Sequence, residues 1–235
     1  MKAVILAGGL GTRLAPYTTI FPKPLMPLGE KPILETIIKQ LKYHGFTEVV
    51  LAVGYLSELI KAYFGDGSSF GIKIRYSKED TPLGTAGPLS LIEGLNEDFL
   101  VMNGDILSSI SYSKLIDSHK KKKSIATIAV NRRTMNVDYG VIKYDKNNII
   151  TDYIEKPKLH YDVSMGIYVF SSKVLESIPK NKRLDFPDLI MKLVKTGESV
   201  SCYLSDDYWL DIGRHEDYEK AQNEFSDIME KLFPK

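Results

Sequence analysis

The stretch Lys2-Ala3-Val4-Ile5-Leu6-Ala7-Gly8-Gly9-Leu10-Gly11-Thr12-Arg13 decides the fold. Residues 2–7 are almost unbroken apolar, the mark of a strand covered on both faces in a parallel sheet. Glycines follow at once. A strand that runs into glycines at the carboxyl edge of a parallel sheet presents backbone N–H groups suited to phosphate oxygens. Working outward, Ile33, Leu34, Ile37, Ile38 and Leu41 recur at helical spacing within residues 31–44, with Pro32 suited to the first turn and Gly45 to the stop. Residues 48–53 read as a second buried strand, 57–64 as a short helix, 72–77 as a strand, 85–95 as a helix and 99–103 as a strand. This alternation predicts βαβ units wound right-handedly, an α/β fold of Rossmann-like three-layer α/β/α form around a mostly parallel central sheet.

The second half has a different rhythm. Residues 139–144 and 149–154 flank the turn-forming Asp145-Lys146-Asn147-Asn148 and predict an antiparallel hairpin that caps the sheet as a lid. A strand at 163–170, a helix at 187–195, a strand at 200–204 and a closing helix at 216–232 complete the reading. With no internal repeat, low-complexity tract or linker, residues 1–235 are expected to form one domain of two halves, 1–110 and 111–235.

Bulk properties narrow the partners. A 43% hydrophobic content supports a proper core. Thirty-one Lys and Arg against 30 Asp and Glu leave a net charge of +1, so nothing recruits a nucleic acid or an anionic membrane, and a small polar ligand is expected. The single cysteine, Cys202, excludes an internal disulfide framework and a structural zinc site, which fits a reducing, cytoplasmic compartment. The first apolar run is too short for a signal peptide or a membrane span. Lys120 to Lys123 close a helix-like segment, where cations complement the helix dipole. His44, His119, His160 and His215 have no spacing that suggests a metal site and are expected on the surface.

Cations lift the glycine loop above a bare turn. Arg13 sits on it, and in Pro22-Lys23-Pro24 two prolines stiffen the backbone around one cation. Two cations beside a backbone anion nest suit a triphosphate. The loop is not a Walker A motif and lacks the Gly-x-Gly-x-x-Gly fingerprint that a nicotinamide-dependent oxidoreductase needs. Asp105 follows a buried strand and a glycine at the ligand edge, where spacing alone fits a metal ligand and a turn cap equally. Lys156 before Pro157 reads as a surface lysine or as a phosphate contact, and Glu155 beside it suits sugar hydroxyls. Gly140 either admits a sugar closely or marks a bulge.

Gly8-Gly9-Leu10-Gly11-Thr12-Arg13-Leu14 followed by Phe21-Pro22-Lys23-Pro24-Leu25 resembles the signature of the sugar-1-phosphate nucleotidyltransferases. Pro82-Leu83-Gly84-Thr85-Ala86-Gly87, Asn103-Gly104-Asp105, Glu155-Lys156-Pro157, Met165-Gly166-Ile167-Tyr168 and Trp209-Leu210-Asp211-Ile212-Gly213 continue the match in order over nearly the whole chain. The resemblance implies the nucleotide-diphospho-sugar transferase fold, with nucleotide bound by residues 1–110 and sugar phosphate by 111–235. It implies attack of a sugar 1-phosphate on the α-phosphorus of a nucleoside triphosphate, with Mg²⁺ on Asp105 and Asp211, and Arg13, Lys23, Asp105 and Asp211 as the catalytic set. The nucleotide falls to Leu6, Ala7, Gly8, Gly9, Gly11, Thr12, Arg13 and Lys23, its base to Pro82, Gly84 and Thr85. The sugar phosphate falls to Gly140, Glu155, Lys156, Ser164 and Met165.

Many members carry asparagine where this chain has Ser164, which leaves the sugar open. Phe186-Pro187-Asp188-Leu189 resembles the mannose-1-phosphate guanylyltransferase branch, which includes enzymes for heptoses and similar hexoses, so GTP is the expected donor. UTP- or CTP-dependent transfer, for example to glucose 1-phosphate, is the near alternative. From another class comes a non-catalytic subunit that senses nucleotide-sugar. Such a sensor could dispense with Asp105 and Asp211. Trp209 reads as a packing anchor for the Asp211 turn. A left-handed β-helix of the kind that carries a second activity in bifunctional relatives is not expected, and an apolar helix face and the hairpin edge could support a homodimer.

Overall fold

Both faces of β1 (Lys2–Ala7) are apolar, which is why it lies inside the sheet: Ala3, Ile5 and Ala7 enter one core cluster and Val4 the other. The structure, a computed structural model, describes residues 1–233. After β1 come a minimal hairpin, β2 (Pro27–Leu28) and β3 (Lys31–Pro32), then α1 (Ile33–Tyr43), β4 (Glu48–Val53), α2 (Ser57–Phe64) and β5 (Lys73–Lys78). The middle of the chain forms β6 (Phe99–Asn103), β7 (Ile106–Ser108), α3 (Tyr112–Lys122), β8 (Ala126–Asn136), the hairpin β9 (Val141–Tyr144) and β10 (Ile150–Ile154), and β11 (Lys158–Phe170). It closes with α4 (Phe186–Lys195), β12 (Val200–Leu204), β13 (Trp209–Asp211), α5 (His215–Asn223) and α6 (Phe225–Leu232).

The main sheet runs β12-β8-β11-β6-β1-β4-β5, and every neighbouring pair is parallel except the two that β11 makes. Strands from both halves of the chain therefore share one sheet. α1 buries Ile33, Leu34, Ile37, Ile38 and Leu41 completely on one face, each worth about 1.5–3 kcal/mol. α4 buries Phe186, Leu189 and Leu193 on the other. In α3, Ser111 accepts from Lys114 N at the start, and Lys120, Lys121 and Lys122 occupy the last turn, where the dipole favours them.

Four expectations change. The helix expected at 85–95 is a 3₁₀ turn, Gly87–Leu91, which ends where Ile92 turns extended (φ -93, ψ 114); the Ala86 and Gly87 amides ahead of it donate to Leu184 O (2.9 and 3.0 Å). The expected 216–232 helix breaks at Glu224, which lets Ala221 on α5 and Ile228 and Leu232 on α6 all reach the core. β11 starts five residues earlier than expected and pairs along its length with β8, which the sequence hides: Ala126 and Ala129 are buried, but residues 132–136 are exposed and, Met135 apart, polar or charged, with no apolar alternation. His119 is 2% exposed, not a surface residue. Among the described residues, no helix is long and apolar enough to cross a membrane.

Candidate active site

The glycine loop leaves β1 at the carboxyl edge of the sheet and is pinned on both sides. Gly104 N donates to Leu6 O (2.9 Å), which sets the end of β1 beside the turn that carries Asp105. Gly11 sits at φ +64, and a Cβ there would lie 2.8 Å from Thr18 Cγ2, so only glycine lets Thr18 Oγ1 donate to Gly11 O (2.8 Å) and fold the loop back. Arg13 follows on a 3₁₀ turn, Thr12–Leu14, and is exposed. Lys23 opens another, Lys23–Leu25, between buried Pro22 and Pro24.

These pieces converge on two carboxylates. β13 pairs antiparallel with β7, placing Asp211 opposite Ile106, and Ile212 N donates to Asp105 O (3.0 Å). Asp105 and Asp211 thus come together from positions 106 residues apart in the sequence. Lys23 Nζ donates to Asp105 Oδ2 and pairs with it, with the two side chains only 11% and 20% exposed. The Asp211 carboxyl is pushed above its ordinary range, first by burial and then by the negative charge of Asp105, against the pull of Lys23 and Arg13. Asp105 Oδ1 is buried and has no hydrogen-bond partner among the described residues. An orphaned acceptor beside a second, strained carboxylate is the donor set that a hard divalent cation satisfies. Among the described residues, no group of three or more His, Cys, Asp or Glu could hold a metal, so the remaining ligands of such an ion would be phosphate oxygens or water.

Beside this cluster, a cleft of about 600 Å³ is lined by Gly8, Gly11, Thr12, Tyr55, Glu79 and Pro82 among others. Glu79 was not singled out from the sequence, although it ends one residue past β5 at the same sheet edge. Its Oε2 accepts from Leu83 N (2.9 Å), and its Oε1 stands 2.8 Å from where a Cβ on Gly8 would be. Tyr55, also unforeseen, is tied through its hydroxyl to Thr19 O (3.0 Å). Pro82 lines the cleft, whereas Gly84 and Thr85 turn toward residues 184–186. The Thr85 hydroxyl accepts from Phe186 N (2.8 Å).

The sugar-side candidates divide. Gly166 lies against the Asp105 turn, since a Cβ there would meet Ile106 Cδ1 at 2.5 Å and Asn103 Nδ2 at 2.8 Å. The Met165 side chain is wholly buried and its carbonyl accepts from Trp209 Nε1 (3.0 Å), so Trp209 anchors the Asp211 turn as expected. Arg133, missed in the sequence because β8 was missed, lies over that indole at 4.5 Å. Ser164 Oγ is 3.2 Å from Tyr168 Oη. Gly140 packs against the Tyr153 ring, Glu155 accepts from Tyr153 Oη (3.2 Å), and Lys156 is exposed with φ +46. These three stand on the exposed hairpin rather than in the carboxylate cluster.

The family of nucleotidyl transferases matches residues 2–227, and the chain belongs to it. It is 36% identical over 220 residues to the D-glycero-alpha-D-manno-heptose 1-phosphate guanylyltransferase of Campylobacter jejuni, covering 93% of this chain and 97% of that one. It is 36% identical over 241 residues to the UTP–glucose-1-phosphate uridylyltransferase of Synechocystis, covering 94% of this chain and 62% of the relative. This chain therefore spans a little under two thirds of the Synechocystis protein. The crystal structure of HddC from Yersinia pseudotuberculosis complexed with GMP-PN superposes with a TM-score of 0.73 at 29% identity, over 95% of this chain and 99% of that one.

Proposed function

We propose that this chain transfers a guanylyl group from GTP to a mannose, heptose or similar hexose 1-phosphate and releases pyrophosphate. The single observation that carries the choice of base is Glu79 in the cleft beside the glycine loop. A carboxylate offers acceptors only. Guanine presents two adjacent donors, N1–H and the 2-amino group, whereas uracil flanks its one N–H with carbonyl oxygens that a carboxylate repels. The Campylobacter guanylyltransferase and the GMP-PN complex support the same donor. UTP-dependent transfer to glucose 1-phosphate is the second reading, favoured by the Synechocystis relative.

In this reading a phosphate oxygen of the sugar 1-phosphate attacks the α-phosphorus, and the bond from that phosphorus to the β-bridging oxygen breaks. The phosphate monoester is already nucleophilic, so no general base is needed. Lys23 faces the α-phosphate, and the exposed Arg13 meets the charge that develops on pyrophosphate. Asp105 and Asp211 would hold Mg²⁺, which would neutralise phosphate charge. Lys156 and Glu155 hold the sugar phosphate and the sugar hydroxyls. The enzyme works in the cytoplasm.

Pyrophosphate release, measured for GTP, UTP, CTP and ATP against mannose, heptose and glucose 1-phosphates, tests the reading. GTP should support the fastest turnover, and Glu79→Gln, whose amide can donate to a uracil carbonyl, should move the preference toward UTP by about tenfold or more. Turnover with UTP alone would overturn the choice of base, and no turnover with any pair would favour the sensing subunit.

A further inference from the structure

We infer that Asp185 is a positioning residue for the nucleobase, acting from the sugar-binding half of the chain on the loop at 82–85; this rests on the cleft beside the glycine loop being the base site. α4 begins at Phe186, and its N-cap is Asp185, the residue type that would ordinarily cap its own helix. It makes no such bond. The capping oxygen comes instead from Thr85, a hundred residues away, whose Oγ1 accepts from Phe186 N at 2.8 Å. Asp185, released from its own helix, turns Oδ1 to Thr85 N (2.9 Å) and Thr85 Oγ1 (3.4 Å), while Oδ2 faces Arg183 Nη2 at 3.6 Å. The cap of α4 is thus supplied by the loop at 82–85, and the carboxylate it displaces holds that loop in return.

The exchange is the centre of a longer seam. Ala86 N and Gly87 N donate to Leu184 O, and Leu184 N donates back to Leu83 O (2.9 Å). At Gly84, φ is +79 and a Cβ would fall 2.6 Å from Asp185 Oδ1 and 2.7 Å from Leu184 O, so the loop can approach this segment only as glycine. On its other side the same loop is held by Glu79 through Leu83 N. Residues 82–85 are therefore stretched between the carboxylate that faces the base and the carboxylate that starts α4. Asp185 lines no part of the cleft, and its reach to the base runs through Thr85, Gly84 and Pro82.

Removing the Asp185 carboxylate frees the loop on the α4 side, and the cost falls on triphosphate binding. Steady-state kinetics of Asp185→Ala and Asp185→Asn, with the triphosphate that the wild type turns over fastest, separates this from a merely structural role. For Asp185→Ala, KM for the triphosphate should rise about tenfold. Its kcat, and KM for the sugar 1-phosphate, should stay within about twofold. The preference for GTP over ITP, which lacks the 2-amino group, should narrow in parallel. Asp185→Asn keeps an oxygen that can accept from Thr85 N and should recover most of the loss. Thr85→Ser and Thr85→Val form a second pair, with serine near wild type and valine like Asp185→Ala, should the alanine variant not fold. An unchanged triphosphate KM in both alanine and valine variants, or a fall confined to kcat, would overturn the assignment. If the wild type prefers UTP, the guanine reading fails while the staple is still judged on the KM for UTP.

Discussion

The two edges of the central sheet bury polar groups in opposite ways. At the carboxyl edge, Asp105 Oδ1 has no partner among the described residues, Asp211 is crowded by Asp105, and two cations serve a site with more lone pairs than donors. At the amino edge, His119 Nδ1 meets Thr127 Oγ1 (2.8 Å), which lies 2.9 Å from Ser201 Oγ, which in turn accepts from Ser124 Oγ (2.9 Å). Asp98 stands 3.9 Å from His119 Nε2, outside hydrogen-bond distance. Burying a polar group costs free energy unless it is hydrogen-bonded. A hydrogen-bonded network spends its groups on holding β8, β12 and α3 together. An unpartnered one costs the fold free energy, so its carboxylates are held together at the expense of stability. The difference separates stability from function without any knowledge of the reaction.

The strongest way to break this comparison is to relieve the crowded edge. Asp105→Ala and Asp211→Asn should each lower kcat by about 10³-fold or more, comparable to or beyond the loss of a single transition-state donor. Because burial and Asp105 raise the Asp211 pKa, the ionised form is disfavoured in the fold, and its contribution to stability declines as pH rises through that range. Asp211→Asn should therefore keep or raise the melting temperature of the metal-free protein at pH 7.5 while abolishing turnover. A lowered melting temperature would show that the carboxylate is structural.

The crowded edge was largely legible in the sequence and the partnered edge was not. Arg13, Lys23 and Asp105 lie in glycine- and proline-marked turns, where backbone constraints leave a written trace. Asp211 needed the ordered resemblance, because only the β7–β13 pairing brings it to Asp105. His119, Thr127 and Ser201 come from three elements and look like ordinary polar residues in each. Their burial is decided by β8, whose exposed outer half masks its core-facing start. Glu79 and Asp185 were overlooked for a related reason. Each is a single carboxylate whose partner, Leu83 N or Thr85 N, is a backbone amide that carries no residue-type signal.

Cutting the partnered edge should leave catalysis alone. Thr127→Val keeps the shape but strands His119 Nδ1 and Ser201 Oγ, and should cost about 1–3 kcal/mol in urea unfolding with kcat and both KM values unchanged. A parallel fall in activity would mean that the two edges are coupled. Lys156 supplies a third condition, a charge that is neither crowded nor partnered but exposed on the hairpin arm. Lys156→Ala should raise KM for the sugar 1-phosphate about tenfold, leave KM for the triphosphate unchanged and leave the melting temperature unmoved. An effect confined to the triphosphate would reverse the assignment of the cations.

The smallest expected effect sharpens the comparison through pH. Burial lowers the His119 pKa below 6.5, the Asp98 charge only partly opposes it, and Lys120 adds to the lowering. The unfolded chain therefore binds a proton that the folded chain refuses between pH 6.5 and the lower folded value. Stability is full above pH 6.5 and declines as pH falls below it, by at most about 1.4 kcal/mol per pH unit. Glu35 and Glu48 are pushed up by burial but brought below 4.5 on balance by Lys39 and Tyr63 and by Arg75, and hold their share until pH falls toward 4.5 and beyond, so the two effects separate. His44, exposed but packed edge-on against Tyr112 at 5.1 Å, has its pKa lowered in the same direction by desolvation. Melting temperatures at intervals from pH 7.5 to 5.5 should fall in the wild type and fall less steeply in His119→Gln. Equal slopes would mean that the amino-edge network accepts the proton without loss. Its satisfaction would then be less complete than its distances say.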